Sequence, residues 1–336
     1  EIPDILLAKP SINLKPLDDY LKNGLIVLTD FKDNYLHYLQ EKFDFEKIRK
    51  SGIKIVFDPM YGAGMDTLGY VLPYIKEIHS TYNPSFGEID HPEPIESMLG
   101  ELCGITSTGY DVGLASDGDA DRLGMVDEQG NFVDAHKIYM IILNYLYNFK
   151  NLRGKIVKTV SLTSMVDKFA QKYNIELIET PVGFKYSAEL MAKGGVLIGG
   201  EESGGLGTIL HIPERDGIFN GFLIIEEMIE RDMKLSELVT ELEDEFGKHI
   251  FKRIDQYMSE EEKSRILARA ANSPTILGNQ KVQEVNTRDG YKFITNDGWL
   301  LVRASGTEPL VRFYAEADSQ EKVYELLNAG LDFKNK

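Results

Sequence analysis

The sequence predicts an α/β protein, with two mixed α/β layered domains followed by a small α+β C-terminal domain. Two observations carry this. From residue 53 to about 246, short β-branched apolar runs alternate with stretches of helical length and spacing, the pattern of sheets covered by helices, mainly parallel in their strands. Beyond about residue 250 the alternation gives way to closely spaced strand-like runs and one closing helix. A length of 336 residues accommodates two or three such units at roughly 150 residues each. The expected domains are 1–130, with 1–30 as a linker, then 131–250 and 251–336.

Residues 32–50 space Tyr35, Leu36, Leu39, Phe43 and Ile48 as one face of a lead-in helix. Ile53–Phe57 reads as a strand ended by Asp58-Pro59, residues 61–64 as a turn and Met65–Ile75 as a helix. Pro84, Gly87, Pro92 and Pro94 mark an irregular crossing. Asp111–Ala115 and Leu123–Val126 read as two more strands, with a turn at 128–131. The second block gives strands at Lys155–Val160, Glu176–Glu179 and Val196–Ile198, and helices at Thr163–Tyr173, Lys185–Lys193, Gly217–Arg231 and Ser236–Phe246. The two blocks read as divergent copies of one unit, although no residue-level period links them. The third shows strands at Val282–Asn286, Tyr291–Thr295, Trp299–Arg303 and Val311–Ala317, then a helix at Gln320–Gly330.

Composition narrows the function. Lys and Arg total 37 against 54 Asp and Glu, a net charge of −17. That argues against a nucleic-acid partner, which needs a basic surface, but leaves room for a local basic pocket. Cys103 is the sole cysteine, which excludes an intrachain disulfide framework and suits a reducing, cytoplasmic setting. The longest apolar runs, at 138–143 and 222–225, fall far short of the ~20 residues that span a bilayer, so no membrane partner is expected. No signal peptide is visible at the start, and the first residue, Glu1, leads to the expectation of a fragment or a processed product. No Gly-x-x-x-x-Gly-Lys-Ser/Thr loop is present, and the six histidines lack metal-ligand spacing.

Three loops carry candidate chemistry. In Ser116-Asp-Gly-Asp-Ala-Asp-Arg122, the carboxylates of Asp117, Asp119 and Asp121 alternate with small residues between two apolar strands. Such carboxylates repel unless a cation neutralises them, and all-oxygen ligands favour a hard dication such as Mg²⁺. Arg122 adds a fork suited to phosphate. The plain alternative is a solvated polar turn. A calcium loop of EF-hand type is disfavoured, because Arg122 stands where that loop needs Gly and strands flank it in place of helices. Gly199-Gly-Glu-Glu-Ser-Gly-Gly205 offers carboxylates and a hydroxyl suited to a polyol, or else is an exposed turn. Arg303-Ala-Ser-Gly-Thr-Glu-Pro309, with Arg312 beyond, could gather hydroxyls, backbone N–H and guanidinium groups on one anion, or else is a hairpin with surface arginines. Weaker stretches are Thr180–Tyr186, where Lys185 opens a helix, and the polar run His211–Gly217.

Together these loops, in this order, resemble the α-D-phosphohexomutase family, which includes phosphoglucomutase and phosphomannomutase. Val56–Gly64, Thr180–Lys185 and His211–Gly217 agree, and the resemblance runs from about residue 30 to the end. It implies a four-domain enzyme with one loop per domain meeting in a cleft, of which this chain resembles domains two to four. The family's first domain carries a phosphoserine in a Ser-His-Asn-Pro-like loop. Tyr82-Asn-Pro-Ser-Phe86 is not that motif, so the N-terminal phosphoserine domain is expected to be missing and the chain alone inactive.

By the same resemblance, Asp117, Asp119 and Asp121 would bind Mg²⁺, and Arg122 would lie at the transferring phosphoryl group. Glu201, Ser203 and Lys185 would hold the sugar. Arg303, Ser305, Gly306, Thr307 and Arg312 would grip the other phosphate. Some mutases carry His at the positions of Gly205 or Phe184; without them no general acid or base is assigned. The implied reaction interconverts hexose 1-phosphate and hexose 6-phosphate through a bisphosphate, with glucose 1,6-bisphosphate as intermediate and activator. The Glu-Glu-Ser-Gly-Gly wording favours glucose over amino sugars, with mannose phosphates left open as the alternative. A sugar-phosphate binding module without catalysis and a Mg²⁺-dependent phosphatase are the alternatives.

Overall fold

The computed structural model describes residues 14–272, 274–306 and 308–334. The described residues fall into two compact units, divided between Lys42 and Phe43. The first holds helices α1 (Leu17–Lys22) and α2 (Lys32–Lys42), with Leu36 and Leu39 of α2 buried. The first thirteen residues of the expected linker lie outside the described residues.

The second unit opens with α3 (Phe45–Ser51), capped by Asp44, whose side chain accepts from the Lys47 N–H at 2.9 Å. The one helix predicted over 32–50 is therefore two, because Asp44 takes a non-helical cap conformation. Strands β1 (Ile55–Asp58), β2 (Lys76–Glu77), β3 (Val112–Ser116), β4 (Leu123–Asp127) and β5 (Phe132–Val133), with helices α4 (Leu68–Val71) and α5 (Gly100–Thr106), form the first α/β layer. The helix predicted at 65–75 is only α4. Asp66 sits at positive φ before it, and Pro73 forces Leu72 out of the helix.

Helix α6 (Ala135–Asn144) starts the second layer and is capped by Asp134. It is buried from Ile138 to Asn144, which explains why an apolar run without helical periodicity hid it. Strands β6 (Lys155–Thr159), β7 (Leu177–Thr180), β8 (Val196–Gly200) and β9 (Leu206–Thr208) follow, with helices α7 (Met165–Tyr173), α8 (Phe184–Ala192), α9 (Gly217–Arg231) and α10 (Leu235–Phe246).

The two sheets share a topology. The first runs β2-β1-β3-β4-β5 and the second β7-β6-β8-β9. In each, the first three strands are parallel and the next turns back antiparallel. The second sheet is thus mainly parallel and the first evenly mixed, and each parallel set exits through a hairpin: β3–β4 in one, β8–β9 in the other.

The third layer is an antiparallel sheet, β10-β15-β14-β13-β12-β11. Its members are β10 (Ile250–Tyr257), β11 (Ile276–Leu277), β12 (Gln280–Asn286), β13 (Tyr291–Thr295), β14 (Gly298–Ala304) and β15 (Leu310–Ala317), with helices α11 (Glu260–Ala271) and α12 (Gln320–Leu331). The sequence reading missed β10 and α11. Strand β10 mixes Lys252, Arg253 and Asp255 into a half-buried edge, a pattern that only its pairing with β15 resolves. One face of the sheet packs Phe293, Leu300, Val302 and Phe313 against Val323, Leu326 and Leu327 of α12.

The other face meets the second layer, where Trp299, Leu301 and Tyr314 bury against Val160. Lys292 is buried there, its ammonium donating to the Val160 carbonyl at 2.7 Å and lying 4.1 Å over Trp299. Burial, helped by the charge of Lys158, lowers its pKa to about 8. Glu316, 1% exposed, accepts from Trp299 Nε1, the Ser164 backbone N–H and His249 Nδ1, each at 3.0 Å, and from the Ser164 hydroxyl. Burial opposes its charge, but the His249 hydrogen bond and field, with His136 and Ser164, hold the carboxyl well below its ordinary 4.5. A carboxyl depressed on folding adds stability above its unfolded pKa and loses it as pH falls below about 4.5. Glu316→Gln is therefore expected to cost about 2–4 kcal/mol at neutral pH and to flatten that acid loss. Urea unfolding followed by fluorescence of Trp299, the single tryptophan, checks both.

Candidate active site

Each of the three loops singled out in the sequence is a hairpin tip. Residues 117–122 join β3 to β4, whose last pair is Ser116–Leu123. Residues 201–205 join β8 to β9 after the pair Gly200–Leu206. The loop between Ala304 and Leu310 closes β14 onto β15, whose last mutual pair is Ala304–Val311. The first two tips occupy equivalent positions in the repeated topology.

These two tips are bonded to each other. Arg122 and Gly205 form an antiparallel bridge, and Leu123 N–H donates to the Gly204 carbonyl at 3.2 Å. Gly204 lies at φ +96°, and a Cβ there would stand 2.8 Å from the Leu123 carbonyl oxygen, so a side chain would force the tips apart. Gly217, opening α9, donates to the Ala120 carbonyl at 3.0 Å and braces the first tip from below.

In the first tip Asp117 is 5% exposed. Its Oδ1 accepts from the backbone N–H groups of Asp121 and Arg122, each at 3.0 Å. Oxygens of Asp117, Asp119 and Asp121 lie within 4.8 Å of one another. Burial first, then the charges of the neighbouring aspartates, raise Asp117 to about 6 and raise Asp121. Asp121 Oδ1 is buried with no hydrogen-bond partner. Arg122 reaches back over the loop, with Nε 3.3 Å from Asp117 and Nη1 3.1 Å from Glu93.

In the second tip Glu201 is buried, and burial together with the charge of Glu202 raises its pKa to about 7. Glu202 accepts from the Ser161 hydroxyl. Ser203 Oγ is buried without a hydrogen-bond partner. Arg215, from the loop before α9, pairs with Asp121 and comes within 3.7 Å of Glu201.

The third tip connects through charge. Arg303 is held by Asp289 at 2.8 Å, and the same Asp289 oxygen accepts from Val182 N–H at 2.9 Å, on the β7–α8 loop. Arg312 pairs with Glu308 at 2.7 Å and Asp255 at 3.5 Å. The charge of Glu202 adds to the raised pKa of both Arg303 and Tyr314. Ser305 is buried and Gly306 exposed with open space around it. Thr307 lies outside the described residues. Lys185 makes none of these contacts; it is exposed at the start of α8, with its ammonium 4.9 Å over the Tyr186 ring.

Sequence reasoning missed Arg215, Asp289, Ser161 and Tyr314. Arg215 had a weak signal inside the polar run 211–217; the others lie in ordinary strand or turn contexts and are recruited only by packing.

Three family models match in chain order. They are the phosphoglucomutase/phosphomannomutase alpha/beta/alpha domain II over residues 33–130, alpha/beta/alpha domain III over 134–246 and the C-terminal domain over 258–329. The chain belongs to the phosphoglucomutase/phosphomannomutase family. Among curated relatives, a Thermococcus kodakarensis phosphoglucomutase/phosphomannomutase is 33% identical over 88% of this chain and 64% of its own length. A Pyrococcus furiosus protein named probable phosphoglucosamine mutase is 32% identical over 92% and 66%. The chain thus spans just under two thirds of these relatives. A crystal structure from Thermus thermophilus with a phosphomannomutase assignment superposes with TM-score 0.79 at 30% identity, covering 92% of this chain and 67% of that one. Among the described residues no helix is long and apolar enough to cross a membrane.

Clustered, part-buried carboxylates cost the fold stability unless a counter-charge is supplied. Asp119→Asn is expected to raise the melting temperature in EDTA by a few degrees, since it removes one repelling charge at an exposed side chain. A lower melting temperature would show that Asp119 makes a net stabilising contact.

Proposed function

We propose that these residues form the cation-binding, sugar-binding and distal-phosphate-binding parts of a mutase that interconverts hexose 1-phosphate and hexose 6-phosphate through a bisphosphate. The observation that carries the reading is the meeting of two carboxylate-bearing hairpin tips, bonded through Arg122 and Gly205; the third tip is flanked by Arg303 and Arg312, and Asp289, which holds Arg303, ties it to the β7–α8 loop through Val182 N–H.

The first tip fits a hard dication. It offers oxygen donors only, closely grouped, with Asp121 Oδ1 buried and without a hydrogen bond, 3.8 Å from Arg122 Nε. Asp117, Asp119 and Asp121 would hold Mg²⁺, which when bound neutralises charge on a phosphoryl group. Arg122, with Nε on Asp117 and Nη1 on Glu93, keeps its guanidinium fixed so that its remaining N–H donors can orient phosphoryl oxygens. Glu201 and Ser203 offer an acceptor and an unpartnered hydroxyl to sugar hydroxyls. Arg303, Ser305, Gly306, Thr307 and Arg312 would grip the phosphate that is not transferring, and Lys185 would approach the sugar from the start of α8. A phosphate at either end of the sugar can occupy such a seat, as a reaction that turns the bisphosphate end for end requires. The phosphoserine that donates the phosphoryl group is assigned to polypeptide outside these 336 residues, and the hexose phosphate is the small-molecule partner.

Glucose is the sugar proposed first, with glucose 1,6-bisphosphate as intermediate. The names of several relatives favour glucosamine phosphate as the competing substrate, and mannose phosphate stands third. The expected outcome with the 336-residue chain, Mg²⁺ and glucose 1,6-bisphosphate is calorimetric binding that EDTA weakens. Arg312→Ala should weaken it by about 10- to 100-fold, the range of a charge-assisted contact to phosphate. Turnover of glucose 1-phosphate by this chain alone would overturn the assignment of the phosphoryl donor elsewhere. Tighter binding of glucosamine 6-phosphate than glucose 6-phosphate would move the substrate to the amino sugar.

A further inference from the structure

Arg215 has no role in the reading above, yet its guanidinium stands between two tips that do. It pairs with Asp121 in the first and lies 3.7 Å from Glu201 in the second. Its Nε is buried with no hydrogen-bond partner, and its Cζ lies 5.6 Å over the Phe184 ring. The course of the side chain depends on Gly205. A Cβ at 205 would fall 2.3 Å from Arg215 Cδ, so a side chain at 205 and an arginine on this path exclude each other. Gly205 is therefore the space through which Arg215 reaches Asp121, as well as a partner in the bridge to Arg122.

We propose that Arg215 is a positioning residue that couples cation binding at Asp117, Asp119 and Asp121 to sugar-phosphate binding at the 201–205 tip. The proposal rests on reading these tips as a Mg²⁺ and sugar-phosphate site. In the geometry described, the guanidinium spends part of its charge on Asp121. A dication that takes oxygens of the triad competes with it there and repels it. Displaced from Asp121, the guanidinium keeps Glu201 at 3.7 Å and Glu214 at 3.9 Å as acidic neighbours, and a shift toward Glu201 brings its charge to any anion beside the second tip. Arg215 thus opposes the cation when the cation binds alone and assists the sugar phosphate once the cation is bound. Two sites joined by one mobile charge in this way are linked reciprocally.

Calorimetry on the full 336-residue chain tests this with two probes, Mg²⁺ alone and glucose 1,6-bisphosphate at saturating Mg²⁺. Removing a unit charge a few ångströms from a dication is worth roughly 3- to 10-fold in its affinity at partly exposed sites. Arg215→Gln is expected to bind Mg²⁺ alone that much tighter and the bisphosphate about 5- to 50-fold more weakly. Arg215→Lys, which keeps the charge but not the fork, should restore Mg²⁺ affinity to the wild-type value and recover part of the bisphosphate affinity. Gly205→Ala should shift both affinities as Arg215→Gln does, with the arginine still present, and together with Arg215→Lys it carries the test should the glutamine variant not fold. Weakening of both ligands in Arg215→Gln would mean a merely structural role, and loss of bisphosphate affinity with unchanged Mg²⁺ affinity a simple phosphate contact; either overturns the proposal. Wild-type chain that binds neither probe would overturn the underlying reading before any variant is made, and the coupling with it.

Discussion

The chemistry-bearing part of this chain depends on a backbone join between two hairpin tips. Arg122 bridges Gly205, and Leu123 donates to Gly204. These are contacts between main chains, so they fix the two loops within hydrogen-bond geometry whatever their side chains do. The Asp loop and the Glu loop come from separate sheets, and without the join their carboxylates would have no defined relation. The glycine at 204 is what this close approach requires, and the one at 205 leaves room for the Arg215 side chain.

The join creates an electrostatic problem that the arginines only partly relieve. Asp117, Asp121 and Glu201 all have raised pKa values, with burial as the first cause and neighbouring carboxylates adding to it. Arg122 and Arg215 are spread across several acids at once. A fold under no demand but stability would not gather these groups, whereas a site that recruits a cation and an anion gains from fields already in place.

The third layer is attached by a different kind of contact. Trp299, Leu301 and Tyr314 supply apolar cover over Val160, and inside it Glu316 and Lys292 each make buried polar contacts to the second layer. Four donors from three segments converge on Glu316 Oε1, while Oε2 is buried without a partner, so the carboxylate sets the orientation of the sheet more than it adds to adhesion. With that orientation Arg303 is held by Asp289, which also accepts from Val182 N–H of the second layer.

The three loops, their order and the α/β then α+β succession were legible in the residues, because each loop is a local run whose composition announces its chemistry between two apolar strands. Edges were not: Asp44 split one helix, Pro73 shortened another, and the polar strand β10 reads as a strand only beside β15. Asp117, Asp119 and Asp121 are two apart in sequence, so their grouping was readable. Arg215 lies some ninety residues from Asp121 and Asp289 more than a hundred from Val182, and their pairings depend on sheet packing that no local pattern encodes. The sequence by itself determined which chemical groups each hairpin tip carries, since strand periodicity and turn composition are short-range properties. Only the tertiary structure decided that the tips meet and which distant side chains stand between them, since that follows from a backbone bridge and a buried interface formed across separate sheets.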